Sequence, residues 1–399
     1  MKIVFVDTTL GGNLIGGAQT FLPHLLKGLC QRGHEVFLAG EGIPNKKIKQ
    51  GIELSGGIYY AHKTKRGVLP EESARILADW INKLSPDVYV ISVSPDIGWL
   101  ALPFLSTDIA CLCIGHTDAP TFYNPARHYR PLLTTAIGVS DTVCEHYTGN
   151  DGFDTADVSW IPYGVEPSET PPVPDNSKII KMIYVGRLDE GQKRVSDLVE
   201  VMKLLSLWGI PYHLQVVGDG PEMPAIKEKL RTETEKGKVK LTGWLTPAEV
   251  LKLLRQSEVF LLTSAFEGFC IALTEAMANG CCPVVTDIRS GNKQLITHNE
   301  SGYMLPVGDI NSFAEIISEL QKNKALLAAK REAAWLNARQ YDTTRMIRAY
   351  EEVFLQALEK IKGTPRKNQP DFPVMESCKS SYPVWMRRIK YFLRQNKLL

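Results

Sequence analysis

Short runs of β-branched and aromatic residues recur along this chain, separated by stretches whose apolar positions fall three and four apart. KIVFV (2–6), EVFLA (35–39), DVYVISV (87–93), ACLCI (110–114) and AIGVS (136–140) form one series of predicted strands. KMIYVG (181–186), HLQVVG (213–218), VKLTG (239–243), EVFLLTS (258–264) and PVVTD (283–287) form a second. Helical spacing fills the intervals, as in Phe21, Leu25, Leu26 and Leu29, or Leu251, Leu253 and Leu254. Alternation of β and α over this length predicts parallel sheets wrapped by helices. Runs apolar on both faces fit strands covered on both sides.

Between the two series lies EPSETPPVPDNSK (166–178), with four prolines and almost nothing apolar, which reads as an exposed connector. The expected fold is therefore α/β, with two doubly wound Rossmann-like domains. The boundaries are an N-terminal domain 1–166, a linker 167–178 and a C-terminal domain 179–340. A helix over 341–362 is expected to return toward the N-terminal domain, followed by a proline-rich connector and a basic amphipathic tail helix over 363–399.

At 399 residues the chain can build two cores. Its 44% apolar and 23% charged residues are ordinary for a globular protein, and a net charge of only +2 argues against a nucleic-acid partner. The basic excess sits in residues 360–399, with ten Lys or Arg against two acids. MKIVFVD is too short for a signal peptide, and no run approaches the roughly 18 apolar residues of a membrane span. The eight cysteines lack Cys-x-x-Cys spacing, and Cys111, Cys113, Cys281 and Cys282 lie in apolar runs, so free thiols of a reducing cytoplasm are expected.

Ligands of open parallel sheets sit beyond the carboxyl ends of the strands, and two such domains place the expected site between them. Gly16 and Gly17 precede a helix whose amides suit an anion, although no G-x-G-x-x-G occurs there. After the first strand of the second series, GRLDEGQKR carries Arg187 and Lys193, a guanidinium fork and an ammonium that suit a diphosphate. SAFEGFCIALTEAMANG then carries Glu267 in a loop and Glu275 on the following helix, with Gly280 at its C-terminal cap. A carboxylate accepts two hydroxyls at once, so vicinal diols are natural partners. In HTDAPTFYNPARHYR (116–130), Phe122, Tyr123, Arg127, His128 and Tyr129 offer aromatic faces and cations for a sugar or an anionic head group.

These motifs in this order, with GDG (218–220), TGW (242–244) and the E-x7-E of EGFCIALTE, resemble glycosyltransferase family 4 over roughly residues 1–360. GGAQTFLPHLLKGLCQRGHEV, GVS (138–140) and IPYGVE (161–166) fit the same family. The resemblance implies the GT-B fold and an enzyme, a retaining hexosyltransferase-type glycosyltransferase using a nucleoside-diphosphate sugar. It implies that Arg187 and Lys193 hold the diphosphate, that Glu275 takes the ribose hydroxyls and that Glu267 contacts the transferred sugar. Amides around Phe269, Cys270 and Ile271 would bind that sugar, Gly16 and Gly17 would approach the diphosphate, and His116 matches the family's active-site histidine. The family often has a small residue at the position of Cys270, and an acid where this chain has Gln294.

No Asp-x-Asp and no paired metal-ligand histidines occur, so neither metal nor cofactor is expected. Tyr123, Arg127 and His128 are the expected acceptor-side residues, with a glycan or lipid-linked acceptor. HKTKR (62–66) and the six basic residues from Lys379 to Lys397, interleaved with Trp and Phe, suit an anionic membrane surface. The expected location is the cytoplasm, peripheral on the inner face of the membrane. An epimerase or phosphorylase of the same fold, or a silent sugar-nucleotide-binding scaffold, are the rival readings.

Overall fold

Two parallel sheets organise the chain in a computed structural model of the protein. The structure describes residues 1–7, 17–41, 50, 52–53, 56–62, 68–94, 96–173, 175, 177–364, 366 and 372–373, with the backbone only at 17–20 and 41. The predicted tail helix, Gly16 and residues 63–66 lie outside the described residues.

The first unit comprises residues 1–161 together with the chain from 346 onward. Its seven strands are β1 (Lys2–Val6), β2 (Glu35–Glu41), β3 (Ile58–His62), β4 (Val88–Ile91), β5 (Ala110–Gly115), β6 (Thr135–Gly138) and β7 (Val158–Trp160), in the order β3-β2-β1-β4-β5-β6-β7. All pairings are parallel. The order reverses direction at β1, which lies between β2 and β4, and this is where open sheets bind ligands. Every residue of β4, β5 and β6 is buried, as their unbroken apolar runs require.

The second unit comprises residues 162–345. Its strands are β8 (Ile180–Val185), β9 (Tyr212–Val217), β10 (Val239–Gly243), β11 (Val259–Leu262), β12 (Cys282–Thr286) and β13 (Tyr303–Leu305), in the order β10-β9-β8-β11-β12-β13. The reversal here is at β8, between β9 and β11.

The strands that the sequence pattern missed, β3, β7 and β13, are all at or near sheet edges. β3 and β7 are half-exposed along most of their length, and β7 and β13 have only three residues each, so neither presents a long apolar run. The proline-rich stretch is tied to the second unit rather than loose. The Ser168 amide donates to the Ala278 carbonyl, Trp335 Nε1 donates to the Ser168 carbonyl, and Arg331 donates to the Val173 carbonyl.

The helix Thr343–Gly363 packs its later turns on the first unit. Ile347 lies where a Cβ at Gly28 would fall, which explains a glycine inside the helix Gly17–Gln31. Tyr350 packs against Phe21, and Phe354 meets Phe5 edge-on. Arg32 and His34 both bond Glu351. Among the described residues, no helix is long and apolar enough to cross a membrane.

Candidate active site

In the second unit the loop after β8 is built around Arg187 and Lys193. Asp189 caps the short helix Glu190–Lys193 by accepting from the Gln192 amide, and its other oxygen accepts from Arg187 Nε at 2.8 Å. Arg187 also donates to Gln192 Oε1 at 3.2 Å, and its side chain is half exposed at 49%. The GDG loop backs this segment, because the Leu188 amide bonds the Asp219 carbonyl and the Glu222 amide bonds the Leu188 carbonyl. A Cβ at Gly218 or Gly220 would overlap the carbonyl oxygen of Gly186 or Leu188, so only glycine permits that approach.

The loop after β11 is stitched to the same place. Thr263 Oγ1 donates to the carbonyls of Lys193 and Arg194, and the Ala265 amide donates to the Gln192 carbonyl. Glu267 then meets Lys193, with Nζ donating to Oε1 at 2.5 Å while Ser264 donates to the same oxygen at 2.6 Å. Gln192 Nε2 reaches the other carboxylate oxygen at 3.4 Å. Both members of the pair are buried, at 12% and 8% side-chain exposure. Burial pushes the Lys193 ammonium down, but Glu267 beside it more than offsets this, and the net shift is upward.

Glu275, one turn into the helix Ile271–Ala278, is in a different state. No hydrogen bond or ion pair engages its carboxylate among the described residues, and burial raises its pKa from the usual 4.5 to about 7. Cys270 lies between the two acids, within electrostatic reach of Glu267, Lys193 and Glu275, and burial pushes its thiol up to about 12. That thiol is protonated and acts as a small apolar group. Phe269 is fixed by Tyr163 and Tyr341, and the Gly291 amide ties the loop by donating to the Gly268 carbonyl. The amides of Phe269, Cys270 and Ile271 donate to nothing among the described residues, and they sit at the N-terminus of the helix. The strand exits thus gather two cations, two paired carboxylates (Asp189 and Glu267), one open carboxylate (Glu275) and a row of open amides.

In the first unit His116 directly follows β5 and is buried. Its Nε2 is 3.0 Å from Ser92 Oγ, and Phe21 and Phe122 meet its ring edge-on. Burial lowers its pKa to about 3. Gly17 opens the helix Gly17–Gln31.

The residues expected on the acceptor side have these partners within the first unit. Tyr123 is 2% exposed, donates its hydroxyl to Asp118 and stacks on His146. Arg127 bonds the buried Asp151 at 2.7 Å, and His128 faces the Pro373 carbonyl and Phe372. Tyr123 is thus part of the core, Arg127 keeps half its side chain exposed beside its ion pair, and Phe122 of the same segment touches His116. His62 is also buried and bonded to Ser73, which removes it from the surface expected of HKTKR.

Asp7, Ser92, Asp189, Gln192 and Ser264 escaped the sequence reading. The one available signal was position, since Asp7 and Ser92 each directly follow a strand. The cysteines at 30, 111, 113, 144, 270, 281 and 282 are free, and among the described residues no three of His, Cys, Asp and Glu gather as a metal site.

Parallel-sheet units with this strand-exit chemistry define a GT-B glycosyltransferase. The family model described as "Glycosyltransferase Family 4" matches residues 15–169, and "Glycosyl transferases group 1" matches residues 168–340. The lipopolysaccharide 1,6-galactosyltransferase of Escherichia coli is 32% identical over 341 residues, 80% of this chain and 89% of that protein. The amylovoran biosynthesis glycosyltransferase AmsK of Erwinia amylovora is 32% identical over 152 residues, only 37% of each chain. Among solved structures, the outer core galactosyltransferase WaaB in apo form aligns with TM-score 0.69 at 20% identity, covering 89% of this chain and 99% of that one. Anabaena HepE in complex with UDP and glucose aligns with TM-score 0.72 at 17% identity, covering 89% and 100%. The chain belongs to the group 1, family 4 glycosyltransferases. It is an enzyme, a hexosyltransferase-type glycosyltransferase.

Proposed function

We propose that this enzyme moves a hexose from a nucleoside-diphosphate sugar to a hydroxyl of a glycan or lipid-linked glycan, in bacterial polysaccharide or lipopolysaccharide synthesis, with retention and without a metal ion. The bond from the sugar's anomeric carbon to the diphosphate breaks, and its electron pair leaves with the nucleoside diphosphate. The acceptor oxygen bonds that carbon on the face the diphosphate left, and the acceptor hydroxyl's proton passes to the departing diphosphate oxygen. Arg187 and Lys193 meet the charge that develops on the leaving group, which is the role expected of preorganised cations in place of a metal.

The contrast between the two glutamates carries this reading. Glu267 is held by Lys193 and Ser264 next to open amides, as a sugar contact beside a diphosphate requires. Glu275 is unpaired, as a residue awaiting a ribose diol would be. The galactosyltransferase relationship supports a glycan acceptor, and HepE, bound to UDP and glucose, supports a UDP-sugar donor. The free thiols fit a cytoplasmic reaction. The basic sequence 379–399 supports an anionic membrane surface as a further partner, which sedimentation with anionic vesicles would test.

The reading is tested by thermal shift with UDP-, GDP- and ADP-sugars, with and without EDTA, on wild type and Lys193→Ala. A donor at 100 times its Kd stabilises by about 2.7 kcal/mol. One nucleotide should stand out, unaffected by EDTA and lost in the variant. No shift with any donor would remove the reading.

A further inference from the structure

The second unit carries an open groove of about 720 Å³ away from its strand exits. That size lies within the ~300–1,000 Å³ usual for small-molecule sites. The helix Ile310–Lys322 lines it together with Trp208, at the C-cap of the helix Val195–Leu207. Trp208 comes just before β9 begins, and Lys324 at the other end bonds Glu258, which directly precedes β11. The groove is therefore at the amino ends of these strands. A strand of six residues, about 20 Å, separates it from Arg187, Lys193 and the two glutamates of the donor site.

The helix Ile310–Lys322 sorts its residues by period. Phe313, Ala314, Ile317 and Leu320 enter the core. Glu315, Ser318, Glu319 and Lys322, three and four apart, form the stripe along the groove. Among the described residues no hydrogen bond or ion pair engages the side chains of Glu315, Glu319, Lys322 or Trp208. Glu315 and Glu319 are like charges one turn apart, an arrangement that weakens a helix. Ser318 is only 7% exposed, yet its hydroxyl bonds nothing in the described structure and lines the groove. Trp208 leaves 41% of its surface uncovered. Folding alone favours none of these features, because a buried hydroxyl ordinarily finds a partner and an indole gains by being covered.

Together these groups match a polyhydroxyl ring. The C–H face of a pyranose is slightly positive and packs on the negative face of an indole. The carboxylates accept from ring hydroxyls, Lys322 donates to them, and Ser318 does either. The glutamates disfavour an anionic ligand, and Lys322 beside them disfavours a metal ion. We propose that this groove is a second glycan site, in which Trp208 stacks under one ring of a neutral oligosaccharide and Glu315 and Glu319 hold its hydroxyls. That the occupant is the enzyme's own acceptor or product rests on the sugar-transfer reading above. A strand's length from the donor residues, the site takes no part in bond exchange and serves as a tether for the glycan chain.

The test uses the full chain labelled with 15N-tryptophan, the Trp208 indole being assigned by its loss in Trp208→Phe. The probes are hexasaccharides of glucose and of galactose, with spermine and a heparin hexasaccharide as charged controls. At millimolar concentration at least one neutral probe should shift the Trp208 indole signal, the affinity expected of a few-kcal contact. Saturation transfer from protein to sugar should vanish in Trp208→Ala and persist in Trp208→Phe, which keeps a ring. Glu315→Ala and Glu319→Ala should each weaken binding about tenfold, the effect of a lost hydrogen bond to a charged group. Neither should melt below wild type, because each relieves the like-charge pair. A Trp208 signal unmoved by both neutral probes, or moved only by spermine or heparin, would overturn the proposal. So would wild-type saturation transfer in Trp208→Ala. Thermal shift with UDP-sugars reads the donor site separately. Oligosaccharide binding without any UDP-sugar binding would remove the transfer reading and leave the glycan site standing, whereas the reverse result would remove the glycan site alone.

Discussion

The two units use the same place in the same kind of sheet for different electrostatics. In the second unit the exits of β8 and β11 hold full charges: Lys193 closed on Glu267, Arg187 on Asp189, and Glu275 unpaired. In the first unit the exits of β1, β4 and β5 converge on a histidine that burial keeps uncharged. A leaving diphosphate needs charge to stabilise it, whereas a hydroxyl needs direction. The exit built from ion pairs suits the first task and the exit that presents an uncharged ring suits the second.

The largest effect is expected at the buried pair. Lys193→Ala leaves Glu267 buried without its cation, which should cost about 3–5 kcal/mol in urea denaturation and about 100-fold or more in sugar transfer. Lys193→Met combined with Glu267→Gln should recover much of the stability and none of the activity. Recovery of activity would show that the charges are structural. In the first unit, His116→Gln should lower turnover about 100-fold while UDP still raises the melting temperature as in wild type. Loss of the UDP effect as well would erase the division of labour between the units.

Glu275 sharpens the comparison through pH. Its pKa is raised in the folded protein, from 4.5 to about 7. The folded chain therefore holds a proton that the unfolded chain releases, and stability falls as pH rises through that window. Glu275→Gln should melt above wild type at pH 8 and level with it at pH 5, read by calorimetry. UDP binding to wild type should strengthen from pH 6 to pH 8, because ribose hydroxyls donate to the ionised carboxylate. A flat profile would mean that Glu275 does not meet the nucleotide. The smallest effect is at Asp189. Asp189→Asn keeps an oxygen for the cap and removes the charge from an exposed pair worth about 0–1 kcal/mol. Stability should barely move, while UDP affinity rises a few-fold as Arg187 is released.

Chemistry carried by local spacing was legible in the sequence. Arg187 and Lys193 share one loop, Glu267 and Glu275 share one loop and helix, and both segments follow unbroken apolar strands. What escaped depends on which strands are neighbours. Ser92 lies 85 residues from Asp7, and they meet because the sheet places β4 beside β1, an order that no run of residues encodes. The pairing of Lys193 with Glu267 was hidden for the same reason, β8 being next to β11. Tyr123 illustrates the reverse case. Tyr123, Ala126 and Tyr129 are spaced three apart on one helix and are all buried, so two of the aromatics in that segment, Tyr123 and Tyr129, form the inward stripe of the helix Pro120–Tyr129.

The packing of the helix Thr343–Gly363 on the first unit also bears on how the chain is made. The second unit is one continuous segment, complete once residue 345 has emerged from the ribosome. The first unit begins earlier but lacks Ile347, Tyr350 and Phe354 until much later, and these are the side chains that cover Gly28, Phe21 and Phe5. During synthesis the half begun first is therefore the half finished last. A nascent chain stalled before residue 346 carries an uncovered apolar face, a natural ligand for holdase chaperones.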